Sequence, residues 1–129
     1  MSEIMIQKKL DEAIHYLNLH LTLPIKFKET IIEDIHFILS NYYDSVDMIV
    51  LFGSCGRGNP RWDSDVDILI LSEQEMNRQD KTDIRAELCE IVDRVSSDVI
   101  FYTFDGFKSS RKRIVDEIKK EGVILWKKD

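Results

Sequence analysis

The chain has 129 residues, of which 43% are hydrophobic and 33% charged, and its formal net charge is −6. That length suits one domain with a real apolar core. The acidic balance argues against a general nucleic-acid binder, which needs a basic footprint, so no direct DNA binding is expected. No apolar run approaches the length of a membrane span, and the N-terminus lacks the apolar core and cleavage site of a signal peptide. Two cysteines outside any CxxC pair suit a reduced, cytoplasmic setting.

Residues 3–21 place Ile6, Leu10, Ala13, Ile14, Leu17 and Leu21 at helical spacing. Thr22-Leu23-Pro24 ends that helix, because proline disfavours helical geometry in the residue before it. Phe27, Ile31, Ile35, Ile38, Leu39 and Tyr42 mark a second helix. Residues 46–52 and 67–71 are short, apolar and rich in β-branched types, and are predicted as strands. Ser72-Glu73-Gln74-Glu75 has the form of a capping box, and Ile84, Leu88, Ile91, Val92 and Val95 predict a helix over about 82–95. Val99 to Phe104 is predicted as a third strand. Phe107, Ile114, Val115 and Ile118 predict one last helix, stopped by Gly122, and Val123 to Trp126 a final strand. Residues 105–129 carry eight Lys/Arg against five Asp/Glu, an excess expected on a solvated helix face. Cys89 is expected in a helix core, and Cys55 beside the loop with an accessible thiol.

The chemistry concentrates in Gly53-Ser54-Cys55-Gly56-Arg57-Gly58-Asn59-Pro60-Arg61-Trp62-Asp63-Ser64-Asp65-Val66-Asp67. Gly53-Ser54 leaves the first predicted strand, and Asp65 and Asp67 open the second. If the two sites meet, the strands run antiparallel. If Asp98 joins them, the third strand runs parallel to the second, with the helix between as the required crossover. Residues two apart on a strand share a face, so Asp65 and Asp67 aim together. Their repulsion invites a divalent cation, and hard oxygen ligands suit Mg²⁺. Three carboxylates with phosphate oxygens could hold two ions for in-line attack on phosphorus. Gly53 allows close backbone approach, and the turn amides and the Ser54 hydroxyl can donate to phosphate. Arg57 and Arg61 are candidates to neutralise a triphosphate or the departing pyrophosphate.

Rival motifs fail on particular residues. A calcium loop beginning at Asp63 would need glycine sixth and glutamate twelfth, where the chain has Ile68 and Gln74. The Gly-Lys-Ser/Thr ending of a P-loop is absent, and the glycines at 53, 56 and 58 do not form GxGxxG. His15, His20 and His36 all lie in the N-terminal helices, away from any cysteine ligand spacing.

Gly-Ser, ten residues, then Asp-x-Asp resembles the signature of the DNA polymerase β-like nucleotidyltransferase superfamily. The Gly-Ser-Cys-Gly-Arg-Gly opening is similar to its minimal nucleotidyltransferase (MNT) branch. The likeness spans about 27–126. It implies an α+β, α/β-like nucleotidyltransferase fold: a small mixed β-sheet packed with helices and preceded by an extra N-terminal helix. The domains would be an extension at 1–24 and a nucleotidyltransferase domain at 25–129. It further implies that Asp65, Asp67 and Asp98 bind two Mg²⁺ ions, that Asp98 helps activate the attacking hydroxyl, and that Gly53 and Ser54 hold ATP or another nucleoside triphosphate. The branch commonly accompanies a small helical HEPN protein, and some members act as antitoxins by transferring AMP to it. Cys55-Gly56 departs from the more usual Arg-Ala. The chain itself is not a HEPN ribonuclease, because His36 precedes its first arginine, Arg57. The catalytic core leaves only the first helix over, so the acceptor site is expected to be shared with a partner or another copy in a homo-oligomer. Two alternatives stay open: a catalytically weak antitoxin acting by contact, and a small-molecule (antibiotic) nucleotidyltransferase.

Overall fold

A computed structural model describes residues 2–90 and 95–128. Helix α1 (Glu3–His20) is capped by Ser2, whose hydroxyl accepts from the Met5 amide at 3.2 Å. The chain is extended at Leu21, and Pro24 sits just ahead of α2 (Ile25–Tyr42). A short 3-10 turn leads into β1 (Met48–Phe52), a four-residue helix α3 (Gly53–Gly56), β2 (Val66–Ser72), α4 (Arg78–Leu88) and β3 (Ser97–Thr103). Helices α5 (Phe104–Ser109) and α6 (Arg113–Glu121) precede β4 (Val123–Lys127).

The four strands form one mixed sheet in the order β3-β2-β1-β4. β1 pairs antiparallel with β2 and with β4, while β2 pairs parallel with β3 across the α4 crossover. This is the topology the Asp placement requires. The central strands read as unbroken apolar runs because both faces are covered. Ile49, Leu51, Ile68 and Ile70 face a core shared with α1, α2 and α4, which contribute Leu10, Leu17, Ile31, Ile35, Ile84 and others. Val50, Phe52, Leu69 and Leu71 face the opposite way, against Ile118 of α6 and the aromatics around α5. Truncating any of the fully buried aliphatics to Ala would cost about 2–5 kcal/mol. Among the described residues no helix is long and apolar enough to cross a membrane.

Several local expectations are corrected. Ser72 belongs to β2 and its hydroxyl donates to the Gln74 carbonyl at 2.7 Å. The cap of α4 is Asn77, whose side chain accepts from Gln79 and Asp80. The helix therefore runs 78–88 rather than 82–95: Val95 is not helical, and Ile91 and Val92 lie outside the described residues. The single last helix is two. Thr103 caps α5 by accepting from the Gly106 amide at 3.0 Å, so Phe104 opens that helix instead of closing β3. Gly122 does follow α6, but with φ −64° and extended ψ. Space demands the glycine: a Cβ there would lie 2.6 Å from the Ile118 carbonyl oxygen and 2.9 Å from Val50 Cγ1.

Candidate active site

Strand register builds the site. Phe52 stands opposite Asp67, and Asp67 opposite Asp98, so one row across three strands carries the end of β1 and both carboxylates. Side chains at 67, 69 and 71 share a face, as do those at 98, 100 and 102. Both aspartates therefore emerge on the α5/α6 side, at one edge of the sheet. Asp65 has the same parity but lies just ahead of β2 and is exposed.

Gly53 turns the chain out of β1 with φ +67°, a conformation that costs most residues free energy and glycine almost none. Its missing side chain also makes room. A Cβ at Gly53 would lie 3.0 Å from Asp67 Cγ and would overlap the carboxylate oxygen outright. A side chain at position 53 and the Asp67 carboxylate would thus occupy the same space. Cys55, one residue past Ser54, faces the core rather than the loop. It is fully buried, and its thiol donates to the Asp65 carbonyl at 3.7 Å. Burial, with the Asp67 and Asp65 charges, pushes that thiol up to about 12. Cys89 is the exposed cysteine. It ends α4, and its thiol donates to the Ser97 carbonyl at 3.0 Å. Both cysteine expectations are reversed, because α3 turns residue 55 inward and α4 stops at Leu88.

A cavity of about 410 Å³ opens over this row, large enough for a small organic ligand. Gly53, Ser54, Arg57, Asp67 and Asp98 line it. Arg61 does not; it is exposed, and its nearest carboxylate is Asp63 at 3.9 Å. The opposite wall was not legible in advance. It consists of Ile114, Glu117, Ile118 and Glu121 of α6, with Phe52 and Ile100. The only signal was the i, i+3, i+4, i+7 spacing of those α6 residues, which reads equally well as core packing. Arg57 Nη1 donates to Glu121 Oε2 at 3.2 Å.

Asp67 is half-buried, and its carboxyl is pushed up to about 6. Burial is the main cause. The Asp98 and Asp65 charges add to it, and Arg57 opposes it. A half-buried carboxylate beside two others is the environment a hard cation relieves, and an all-oxygen donor set fits Mg²⁺ better than a soft metal. Among the described residues no three His, Cys, Asp or Glu side chains already stand at metal-ligand spacing.

A glycine turn at positive φ, an Asp pair across the parallel strands β2 and β3, and a cavity over them make up the candidate site of this mixed-sheet α+β fold. The family model described as Polymerase beta, Nucleotidyltransferase matches residues 33–129, well over half of the chain, and the chain belongs to that family. It is 32% identical over 93 residues to "Putative protein adenylyltransferase MJ0141" of Methanocaldococcus jannaschii, covering 70% of this chain and 87% of that one. Its fold is also that of a "putative nucleotidyltransferase" from Sulfolobus solfataricus, with a TM-score of 0.56 and 20% identity over 91% of this chain and 88% of that one. A chain in the crystal structure of a toxin-antitoxin with AMP-PNP matches with a TM-score of 0.54 and 23% identity, over 75% of this chain and 73% of that one. The protein is a nucleotidyltransferase.

Proposed function

We propose that this enzyme transfers AMP from ATP to a hydroxyl of a partner protein, a small helical HEPN-type toxin, and acts as its antitoxin with Mg²⁺ as cofactor. The observation that carries the chemistry is the register row that puts Asp67 beside Asp98 and against Gly53. The adenylyltransferase name of the Methanocaldococcus relative supports AMP as the group transferred. A toxin-antitoxin structure of the same fold, carrying an ATP analogue, supports the partner.

In this reading Asp65, Asp67 and Asp98 hold two Mg²⁺ ions, whose positive charge would offset that of the phosphate oxygens. Gly53 and Ser54 face the triphosphate: the turn amides and the Ser54 hydroxyl donate to its oxygens, and Gly53 lets the backbone come close. Arg57, on the cavity wall, pairs with a phosphate oxygen. Ile100, Ile114 and Ile118 give the cavity an apolar side suited to a base. Asp98, at the exposed edge of the row, accepts the proton of the incoming hydroxyl as its oxygen bonds to the α-phosphorus, while the bond from the α-phosphorus to the β-phosphate oxygen breaks and pyrophosphate leaves. The extension at 1–24 stands outside the transfer site.

The test is incubation with each labelled ribonucleoside triphosphate, Mg²⁺ and the helical protein of the adjacent reading frame. Label from ATP on that protein, lost on Asp67→Asn, is expected. No transfer to it with any triphosphate would refute the partner assignment. Protection of cells by the Asp65→Asn/Asp67→Asn double variant would show that contact alone neutralises the toxin.

A further inference from the structure

Among the described residues lining the cavity, Arg57 is the one cation, set against Asp67, Asp98, Glu117 and Glu121. Glu117 is drawn toward Arg113, 3.5 Å away on its own helix. Glu121 instead reaches across to Arg57, 64 positions away in sequence. Both ends of that pair are mounted on fixed backbone. Arg57 closes the α3 turn with its amide donating to the Gly53 carbonyl at 3.0 Å, and Gly58 at φ +76° turns the chain away behind it. Glu121 is the last residue of α6, anchored where the Gly122 amide donates to the Ile118 carbonyl at 2.7 Å and β4 begins.

Helix stability does not explain Glu121. A carboxylate on the last residue faces the negative end of the helix dipole, whereas Lys119 and Lys120 beside it have the favourable sign. We propose that Glu121 is a positioning residue: it holds Arg57 against the cavity wall in the nucleotide-free enzyme and yields it to the triphosphate. This rests on the nucleotide reading of the cavity. The pair suits such an exchange, because both side chains are nearly half exposed, at 45% and 47%, and a half-exposed ion pair is weak. A triphosphate offers several charged oxygens to the planar guanidinium and displaces a single carboxylate readily.

The consequence is a small penalty on nucleotide binding that Glu121→Gln removes. The same hand-over has occurred in the bound state and in the transition state, so KM for ATP falls and kcat does not change. The experiment measures the affinity of a non-hydrolysable ATP analogue with Mg²⁺ by calorimetry. It compares wild type, Glu121→Gln, Arg57→Gln and the double variant, with thermal melts to report folding separately. Glu121→Gln is expected to bind about two- to fivefold more tightly, and to lose most of that gain once Arg57 is replaced. Equal or weaker binding by Glu121→Gln, or the same gain without Arg57, overturns the proposal while leaving the nucleotide site intact. Failure of the wild type to bind the analogue overturns the nucleotide reading and this proposal with it.

Discussion

Replacing Asp67 by Asn should stabilise the fold at neutral pH while abolishing function. The folded carboxyl is pushed up to about 6 from an ordinary value of 3.8. The folded state therefore holds this proton more tightly than the unfolded chain. Between those two values the folded state binds more protons, so stability falls as pH rises through the window and the penalty is complete above about pH 6. Two pH units at about 1.4 kcal/mol each give about 3 kcal/mol at face value. Asp67 is only half-buried, so solvent screening reduces the expected gain for Asp67→Asn to ~1 kcal/mol at pH 7.5. For a domain of this size that raises Tm by about 3–5 °C. Melts followed by circular dichroism at pH 7.5, 6 and 4 measure it. The gain should shrink through pH 6 and vanish near pH 4. A variant less stable than wild type at pH 7.5, or a gain that persists at pH 4, would show that burial and neighbouring like charge do not load this carboxylate.

Three further outcomes follow from the geometry. Gly53→Ala imposes a positive φ that costs roughly 1–2 kcal/mol and drives a Cβ into the Asp67 carboxylate. Nucleotide transfer should fall at least about tenfold, and unchanged turnover in a standard rate assay would contradict the placement of the two residues. Of the two thiols, Cys89 should react with a thiol reagent in the native protein, slowed because burial and the Asp98 charge raise its pKa, while Cys55 should react only after unfolding. Spectrophotometric thiol counting before and after denaturant distinguishes them, and fast native modification of both would show that Cys55 is not buried. Asp34 of α2 is fully buried and accepts a hydrogen bond from the Ser97 hydroxyl, one residue before Asp98. Asp34→Ala should cost about 2 kcal/mol in denaturant unfolding, and a cost within error of zero would remove that bond from the account of how β3 is anchored.

The strand topology was legible because the chemistry and the apolar pattern agreed. Gly53-Ser54 at a strand exit and Asp-x-Asp at a strand entrance meet only in an antiparallel pair, and Asp98 joins them only through a parallel one. Side-chain alternation then put the carboxylates on one face. The misses have physical causes. Ser72 and Asn77 are both competent caps, and choosing between them depends on where β2 releases the chain, which side-chain periodicity does not encode. Thr103 could continue a strand or cap a helix, and the amide of Gly106 decides it. Arg57 and Arg61 look alike in sequence, yet the α3 turn aims one at the cavity and leaves the other in solvent. The α6 wall was hidden because Ile114 and Ile118 fit a core stripe as well as a ligand wall. The Arg57–Glu121 pair joins residues 64 positions apart and has no local signature.

In the proposed function, Asp67 and its neighbours on the sheet edge carry nucleotide transfer to a partner protein. The most direct measurement is mass spectrometry of the helical partner after incubation with ATP, Mg²⁺ and wild-type, Asp67→Asn or Asp98→Asn enzyme, each shown by melting to be folded. An AMP adduct on a partner hydroxyl is expected with wild type and none with either variant. An adduct formed at the wild-type rate by folded Asp67→Asn would contradict it.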